Sequence, residues 1–157
     1  MVSPSAEGFR RFTKSVFEAQ SALLRHGDTA NAPFGQTSAR WRILRYVSTG
    51  ERSVAAIARA TGYSRQAVQR LASSLVAEEY LMTAPHSSDG RMQQLDLTPL
   101  GSRTLQRMED HFEVWSERLL KDLPAEDLAA LASALERVTS VVLDDCSHFD
   151  SKEAHGG

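Results

Sequence analysis

The 157-residue sequence predicts a mainly α-helical fold with one small β-hairpin, a winged helix-turn-helix carried between N- and C-terminal helices. Three observations predict it. Apolar residues recur at helical spacing along most of the chain. Two short segments in the middle, Val54 to Ala60 and Arg65 to Glu79, are separated only by the breaker run Thr61-Gly62-Tyr63-Ser64. After them come two short strand-like runs on either side of an Asp89-Gly90 turn.

In chain order, Phe9, Phe12, Val16, Phe17, Leu23 and Leu24 recur at spacings that give an amphipathic helix over Glu7 to Arg25. His26-Gly27-Asp28 and Asn31-Ala32-Pro33-Phe34-Gly35 are rich in breakers and predict a loop. Thr37 or Ser38 caps the next helix, which turns Trp41, Ile43, Leu44 and Val47 inward and ends at Gly50. Ser53 then caps the short helix from Val54, and Gly62 supplies the left-handed residue after its end. Ser64 caps the helix that follows. Its Val68, Leu71, Ala72 and Leu75 share one face, leaving Gln66, Gln69, Arg70 and Ser73 on another that holds no carboxylate before Glu78.

Tyr80 to Thr83 and Met92 to Leu97 are the strands, the second alternating Leu95 and Leu97 with Gln94 and Asp96. Thr98-Pro99 opens a long helix to about Lys121, because threonine caps and proline is tolerated at the first helical position. Leu100, Leu105, Met108, Phe112, Trp115 and Leu119 line its apolar side. A last helix, from Leu123-Pro124 to about Asp144, carries Leu128, Leu131, Leu135, Val138 and Val142. The polar residues from Ser147 onward read as a disordered tail. The expected organisation is an N-terminal dimerisation helix and loop (1–36), the winged helix-turn-helix (37–98), C-terminal dimerisation helices (99–146) and the tail (147–157). The terminal helices are strongly apolar on one side, and a second copy of the chain is the simplest partner for them.

Charge is unevenly spread. Residues 40–98 hold eight Lys/Arg against five Asp/Glu, whereas residues 99–157 hold six against twelve, although the whole chain is near neutral at −2. A basic middle and an acidic C-terminal third suit a protein that grips a polyanion with its centre. The N-terminus lacks a basic-then-apolar signal pattern, and no apolar run is long enough to span a membrane, so a cytoplasmic location without membrane attachment is expected. One cysteine, Cys146, excludes an intramolecular disulfide and a multi-cysteine zinc site. The five histidines show no i, i+4 pair, so no metal or cofactor is expected. Without a glycine-rich phosphate loop or a Gly-x-Ser-x-Gly elbow, nothing supports an enzyme.

The chemistry present suits double-stranded DNA. A helix in the major groove reads bases with side chains near its leading end, and glutamine and arginine there pair with adenine and guanine. Arg65, Gln66, Gln69, Arg70 and Ser73 fill that role, with Ser53, Ser64 and Arg59 as phosphate donors. Arg91 at the hairpin tip would reach a phosphate or the minor groove, oriented by Asp89. The alternative is a winged-helix protein-interaction module, since residues 53–98 alone hold four Lys/Arg and four Asp/Glu.

The order of Trp41-Arg42-Ile43-Leu44, Ser53-Val54-Ala55-Ala56-Ile57-Ala58, Tyr63-Ser64-Arg65-Gln66-Ala67-Val68-Gln69-Arg70-Leu71, Asp89-Gly90-Arg91 and Leu97-Thr98-Pro99-Leu100-Gly101 resembles the MarR family of winged-helix transcriptional regulators over nearly the whole chain. The resemblance implies a homodimer clasped by its terminal helices that binds a short pseudo-palindrome, usually as a repressor, with release by a phenolic or other small ligand, an oxidant or a metal. Two departures stand out. Tyr80 occupies the place where the family usually ends the recognition helix with glycine, so this helix is expected to end differently. Met92-Gln93-Gln94 follow the wing arginine where further arginines are common, which predicts weaker phosphate binding.

For a small aromatic or phenolic effector, His111, Phe112 and Trp115 with Trp41 are the candidate pocket, weighed against a plain role as core aromatics. Cys146 lies beside Asp144 and Asp145, which raise a thiol's pKa, so it reads as an unreactive cysteine or a site of inter-subunit pairing.

Overall fold

The computed structural model describes residues 3–85, 93–121 and 123–153. The order of elements is α1 (Pro4–Asn31), a single 3-10 turn (Ala32–Phe34), α2 (Ser38–Ser48), α3 (Val54–Thr61), α4 (Arg65–Ala77), β1 (Leu81–Pro85), β2 (Gln93–Leu97), α5 (Pro99–Leu120) and α6 (Ala125–Glu153). This is the expected mainly helical fold with one antiparallel hairpin. Two compact units divide at residue 112. Among the described residues no helix is long and apolar enough to cross a membrane.

In the first unit, α2, α3, α4 and the hairpin enclose one core. Ile43, Leu44, Val47, Ile57, Val68, Ala72, Leu75, Leu81 and Leu95 are all buried, joined by Leu105 of α5. Each fully buried aliphatic side chain contributes about 1.5–3 kcal/mol. The expected caps position the helices: Ser53 Oγ accepts from the Ala56 N–H and Ser64 Oγ from the Ala67 N–H, both at 3.1 Å, while Gly62 adopts φ 73° after α3. In the hairpin Leu81 lies opposite Leu97 and Thr83 opposite Leu95. The Leu95 N–H donates to the Arg52 carbonyl at 2.8 Å, and Arg52 pairs with Asp96 at 2.8 Å. The chain before α3 is thereby tied to the wing.

Three expectations need correction. The loop expected at His26-Gly27-Asp28 is helix, because α1 continues to Asn31 and docks there on the start of α2. Ser38 donates through Oγ to the Leu24 carbonyl at 3.1 Å and through its N–H to Asp28 Oδ1 at 2.8 Å, so a side chain of α1 helps cap α2. Gly27 sits beneath Ser38 Oγ with no room for a Cβ, which explains a glycine inside a helix. Gly27→Ala is therefore expected to cost roughly 1–3 kcal/mol in urea unfolding despite alanine's better helix propensity, and Ser38→Ala in the same chain should recover part of that loss. An unchanged midpoint for Gly27→Ala would mean that the two helices do not meet this closely.

The second correction concerns the end of α4. The helix, expected to run to Glu79, ends at Ala77, and Glu79 takes the left-handed conformation at φ 62°. The Tyr80 N–H donates to the Leu75 carbonyl at 2.9 Å and the Glu79 N–H to that of Val76 at 3.0 Å, which is the Schellman arrangement. Thr98 then joins this end to α5. Its hydroxyl donates to the Glu79 carbonyl at 2.5 Å and accepts from the Gly101 N–H at 3.0 Å, and Gly101 has no space for a side chain against the Tyr80 carbonyl. A left-handed non-glycine residue costs about 1–2 kcal/mol, partly offset by glycine's greater freedom in the unfolded chain. Glu79→Gly should accordingly raise stability by about 0.5–1 kcal/mol, read as a higher thermal midpoint, and a lower one would contradict the assignment.

Third, α6 runs to Glu153, through residues expected to form a disordered tail from Ser147. No proline or glycine interrupts the sequence from Ala125 to Glu153. In this second unit Glu126 and Asp127 occupy the first turn of α6, where the helix dipole favours them. Its apolar residues are largely uncovered in the single chain: Leu131 is 60% exposed and Val141 68%. In the first unit Phe17 of α1 is 62% exposed.

Candidate nucleic-acid interface

α3 and α4 meet at a tight turn, and α4 presents its polar face outward. Arg65, Gln66, Gln69, Arg70 and Ser73 are all exposed, over a helix whose other face is sealed by Val68, Ala72 and Leu75. Four of them come together with the start of α3: an open groove of about 540 Å³ is lined by Val54, Ala55, Arg65, Gln66, Gln69 and Arg70. Val54 and Ala55 also line the groove, although neither carries a polar group that would have marked it beforehand. Ser73 lies one turn further along, with its hydroxyl 3.4 Å from Gln69 Nε2. Ser53 and Ser64 use their oxygens as caps, and a hydroxyl can still donate to an external acceptor. Asp89 and Arg91 of the wing tip lie outside the described residues.

The electrostatics separate the arginines into two groups. Arg40, Arg42, Arg45 and Arg52 are committed internally: Arg40 to Glu78, Arg42 to Tyr63 and the Thr61 carbonyl, Arg45 to Glu109 and Arg52 to Asp96. Arg59, Arg65 and Arg70 are exposed and make no hydrogen bond or ion pair with another described residue. Arg65 is the first residue of α4, where the positive end of the helix dipole disfavours a cation. No acidic residue occupies the first turn of α2, α3 or α4, in contrast to Glu7 on α1 and Glu126 and Asp127 on α6. The start of α2 is already taken by the Asp28 carboxylate, whereas the starts of α3 and α4 carry no carboxylate and are electropositive.

Glu78, at the far end of α4, is held well below the usual carboxylate range, at about 2, first by its hydrogen bonds from the Arg40 guanidinium and then by that from Ser74. Both bonds to Arg40 are 2.7 Å, and Ser74 Oγ donates at 2.8 Å. Arg40 also donates from Nε to Gln36 at 2.8 Å and lies 5.6 Å from the Tyr80 ring centroid. Glu78, the first carboxylate along α4, is thus paired with a cation from α2.

Of the candidate effector pocket, the first unit brings Trp41 and Phe112 together, stacked with centroids 5.8 Å apart, and sets His111 edge-on to Phe34 at 5.8 Å. Trp41 Nε1 donates to Glu109 at 3.1 Å, and Glu109 also binds Arg45 at 2.6 Å. Trp115 belongs to the second unit. The side chain of Cys146 lies outside the described set.

Comparison with known proteins agrees with this architecture. A sequence profile of the MarR family matches residues 34–92, the span from before α2 into the wing. An uncharacterized protein of Mycobacterium tuberculosis is 36% identical over 129 residues, covering 82% of this chain and 90% of its own. Among solved structures, a MarR/EmrR family transcriptional regulator from Acinetobacter sp. ADP1 matches with a TM-score of 0.78 at 24% identity, over 86% of this chain and 96% of that one. The transcriptional repressor CouR, bound to a 23-mer DNA duplex, matches with a TM-score of 0.75 at 21% identity, over 88% and 99%. At these identities the structural matches are likenesses of fold.

Proposed function

The chain belongs to the MarR family of transcriptional regulators, and from that membership we propose that it binds double-stranded DNA in a sequence-specific way, as a homodimer on a pseudo-palindromic operator, to repress transcription. The observation that carries this reading is the division among the arginines. In a region where four are used internally, Arg65 and Arg70 stand uncompensated beside Gln66 and Gln69 on one face of a capped, rigid helix. Arginine at the start of α4 costs helix stability, by about 0.3–1 kcal/mol, and a phosphate or guanine edge would reverse that cost. Ser53, Ser64, Arg59 and Ser73 supply flanking contacts, and Arg91 with Asp89 completes the interface from the wing.

What supports the homodimer is uncovered apolar surface. Phe9, Phe17 and Leu23 of α1, and Leu128, Leu131, Leu135 and Val142 of α6, are too many exposed large residues for a free monomer, and a second copy buries like against like. Such a protein acts in the cytoplasm, where it meets DNA. An aromatic or phenolic effector that parts Trp41 from Phe112 would bind beside His111 and release the operator.

The test is the salt dependence of duplex binding by the purified protein. Binding should weaken linearly on logarithmic axes as counterions are released, with a slope of about −0.9 per phosphate contact. Binding that ignores salt would point instead to a protein-interaction module.

A further inference from the structure

We propose that Arg42 of α2 is a positioning residue for the recognition helix: it clamps the turn between α3 and α4 and so decides which bases the leading end of α4 faces. This rests on the DNA-binding reading above. The guanidinium bridges three features of the turn. Nη2 donates to the Thr61 carbonyl at 3.0 Å, Nη1 donates to the Tyr63 hydroxyl at 3.1 Å, and the group lies 4.9 Å from the centroid of the Tyr63 ring. One turn further along α2, the Tyr46 hydroxyl donates to the Ala60 carbonyl at 3.1 Å. The last two carbonyls of α3, which no helical N–H can reach, are therefore satisfied by two side chains of α2 four residues apart. A cation at this helix end also suits its negative pole.

The clamp lies directly upstream of the site. Tyr63 precedes Ser64, which caps α4, and Ser64 precedes Arg65, which opens its polar face. Within the turn Gly62 takes the left-handed conformation and the buried Thr61 hydroxyl donates to the Ile57 carbonyl at 2.7 Å, so the backbone between the helices has its partners on the α2 and α3 sides. A change in the turn would swing Arg65 and Gln66 relative to the body of the domain. The planar fork of arginine holds two acceptors and a ring face together, which a lysine ammonium cannot do.

The experiment compares the full-length protein with Arg42→Met, Arg42→Lys and Tyr63→Phe, measuring affinity for the preferred duplex and for a shuffled duplex at two salt concentrations. For Arg42→Met the ratio of the two affinities should fall roughly 10-fold, the loss of one well-placed base contact, while binding to the shuffled duplex and its salt slope hold steady. Arg42→Lys should not restore the ratio, and Tyr63→Phe, which keeps the ring and loses the hydroxyl, should give a smaller loss. Tyr63→Phe carries the test if Arg42→Met does not fold. Equal losses on both duplexes with an unchanged slope would reduce Arg42 to a stability residue and overturn the proposal. Equal losses with a slope shallower by about one would make it a phosphate contact, which also overturns it. If the wild-type protein shows no preference between duplexes, the DNA-binding reading fails and takes the clamp with it; a wild-type preference that Arg42→Met retains sinks the clamp alone.

Discussion

Replacing Arg65 with alanine is expected to weaken binding to the preferred duplex by about 1–3 kcal/mol, roughly 5- to 150-fold, while leaving the fold as stable as before or slightly more so. The two effects have one origin. Arg65 is exposed at the first position of α4, opposed by the helix dipole and without an internal ion pair, so nothing in the folded chain is lost with it. Gln66→Ala should instead change which base is preferred, because a glutamine amide carries no net charge to spend on phosphate. Competition binding against duplexes altered at single positions, alongside thermal unfolding, checks both. An Arg65→Ala protein that kept its full operator affinity would place the recognition surface elsewhere.

Arg40→Ala should be among the most destabilising single changes in the first unit, at roughly 2–4 kcal/mol in denaturant unfolding. The Arg40 side chain is only 13% exposed, and its loss strips hydrogen bonds at once from Glu78, Ser74 and the buried Gln36. The pH dependence gives an independent check. The Glu78 carboxyl lies at about 2 in the folded chain against an ordinary 4.5, a depressed value. Its contribution is therefore complete above about pH 4.5 and is lost as pH falls from there towards 2. Because Glu78 is 47% exposed and screened by solvent, that contribution is about 1–2 kcal/mol rather than the larger figure the full shift would imply. The stability gap between wild type and Arg40→Ala should thus be widest above pH 4.5 and narrow in acid. A gap that does not vary with pH would show that the pair contributes nothing beyond packing.

What could be read from the sequence was whatever local chemistry determines. Ser53, Gly62 and Ser64 mark the helix-turn-helix because capping and left-handed turns act over three or four residues, and the polar face of α4 follows from its period. What escaped were features set by partners distant in sequence. Gly27 and Asp28 look like breakers until Ser38, ten or more residues on, is seen to occupy the space a loop would have freed. The left-handed Glu79 after α4 was not readable either, because backbone bonds from Glu79 and Tyr80 to Val76 and Leu75 fix it and no glycine marks it. Above all, composition counts Arg40, Arg42, Arg45 and Arg52 together with Arg59, Arg65 and Arg70 as one basic stretch. Only the fold separates those bound to Glu78, Tyr63, Glu109 and Asp96 from those left to solvent. Of the aromatic candidates Trp41 is half-buried against the core while Phe112 is 43% exposed, and their stacking on each other was not readable from their spacing.

The most direct test of the central claim, sequence-specific binding of DNA by a dimer of this chain, is selection from a randomised duplex pool at two salt concentrations, with sequencing of the retained molecules. The account predicts an enriched inverted repeat whose half-sites lie about one helical turn apart, retained less as salt rises. Retention without any enriched sequence, or enrichment of a single half-site with no repeat, would contradict it.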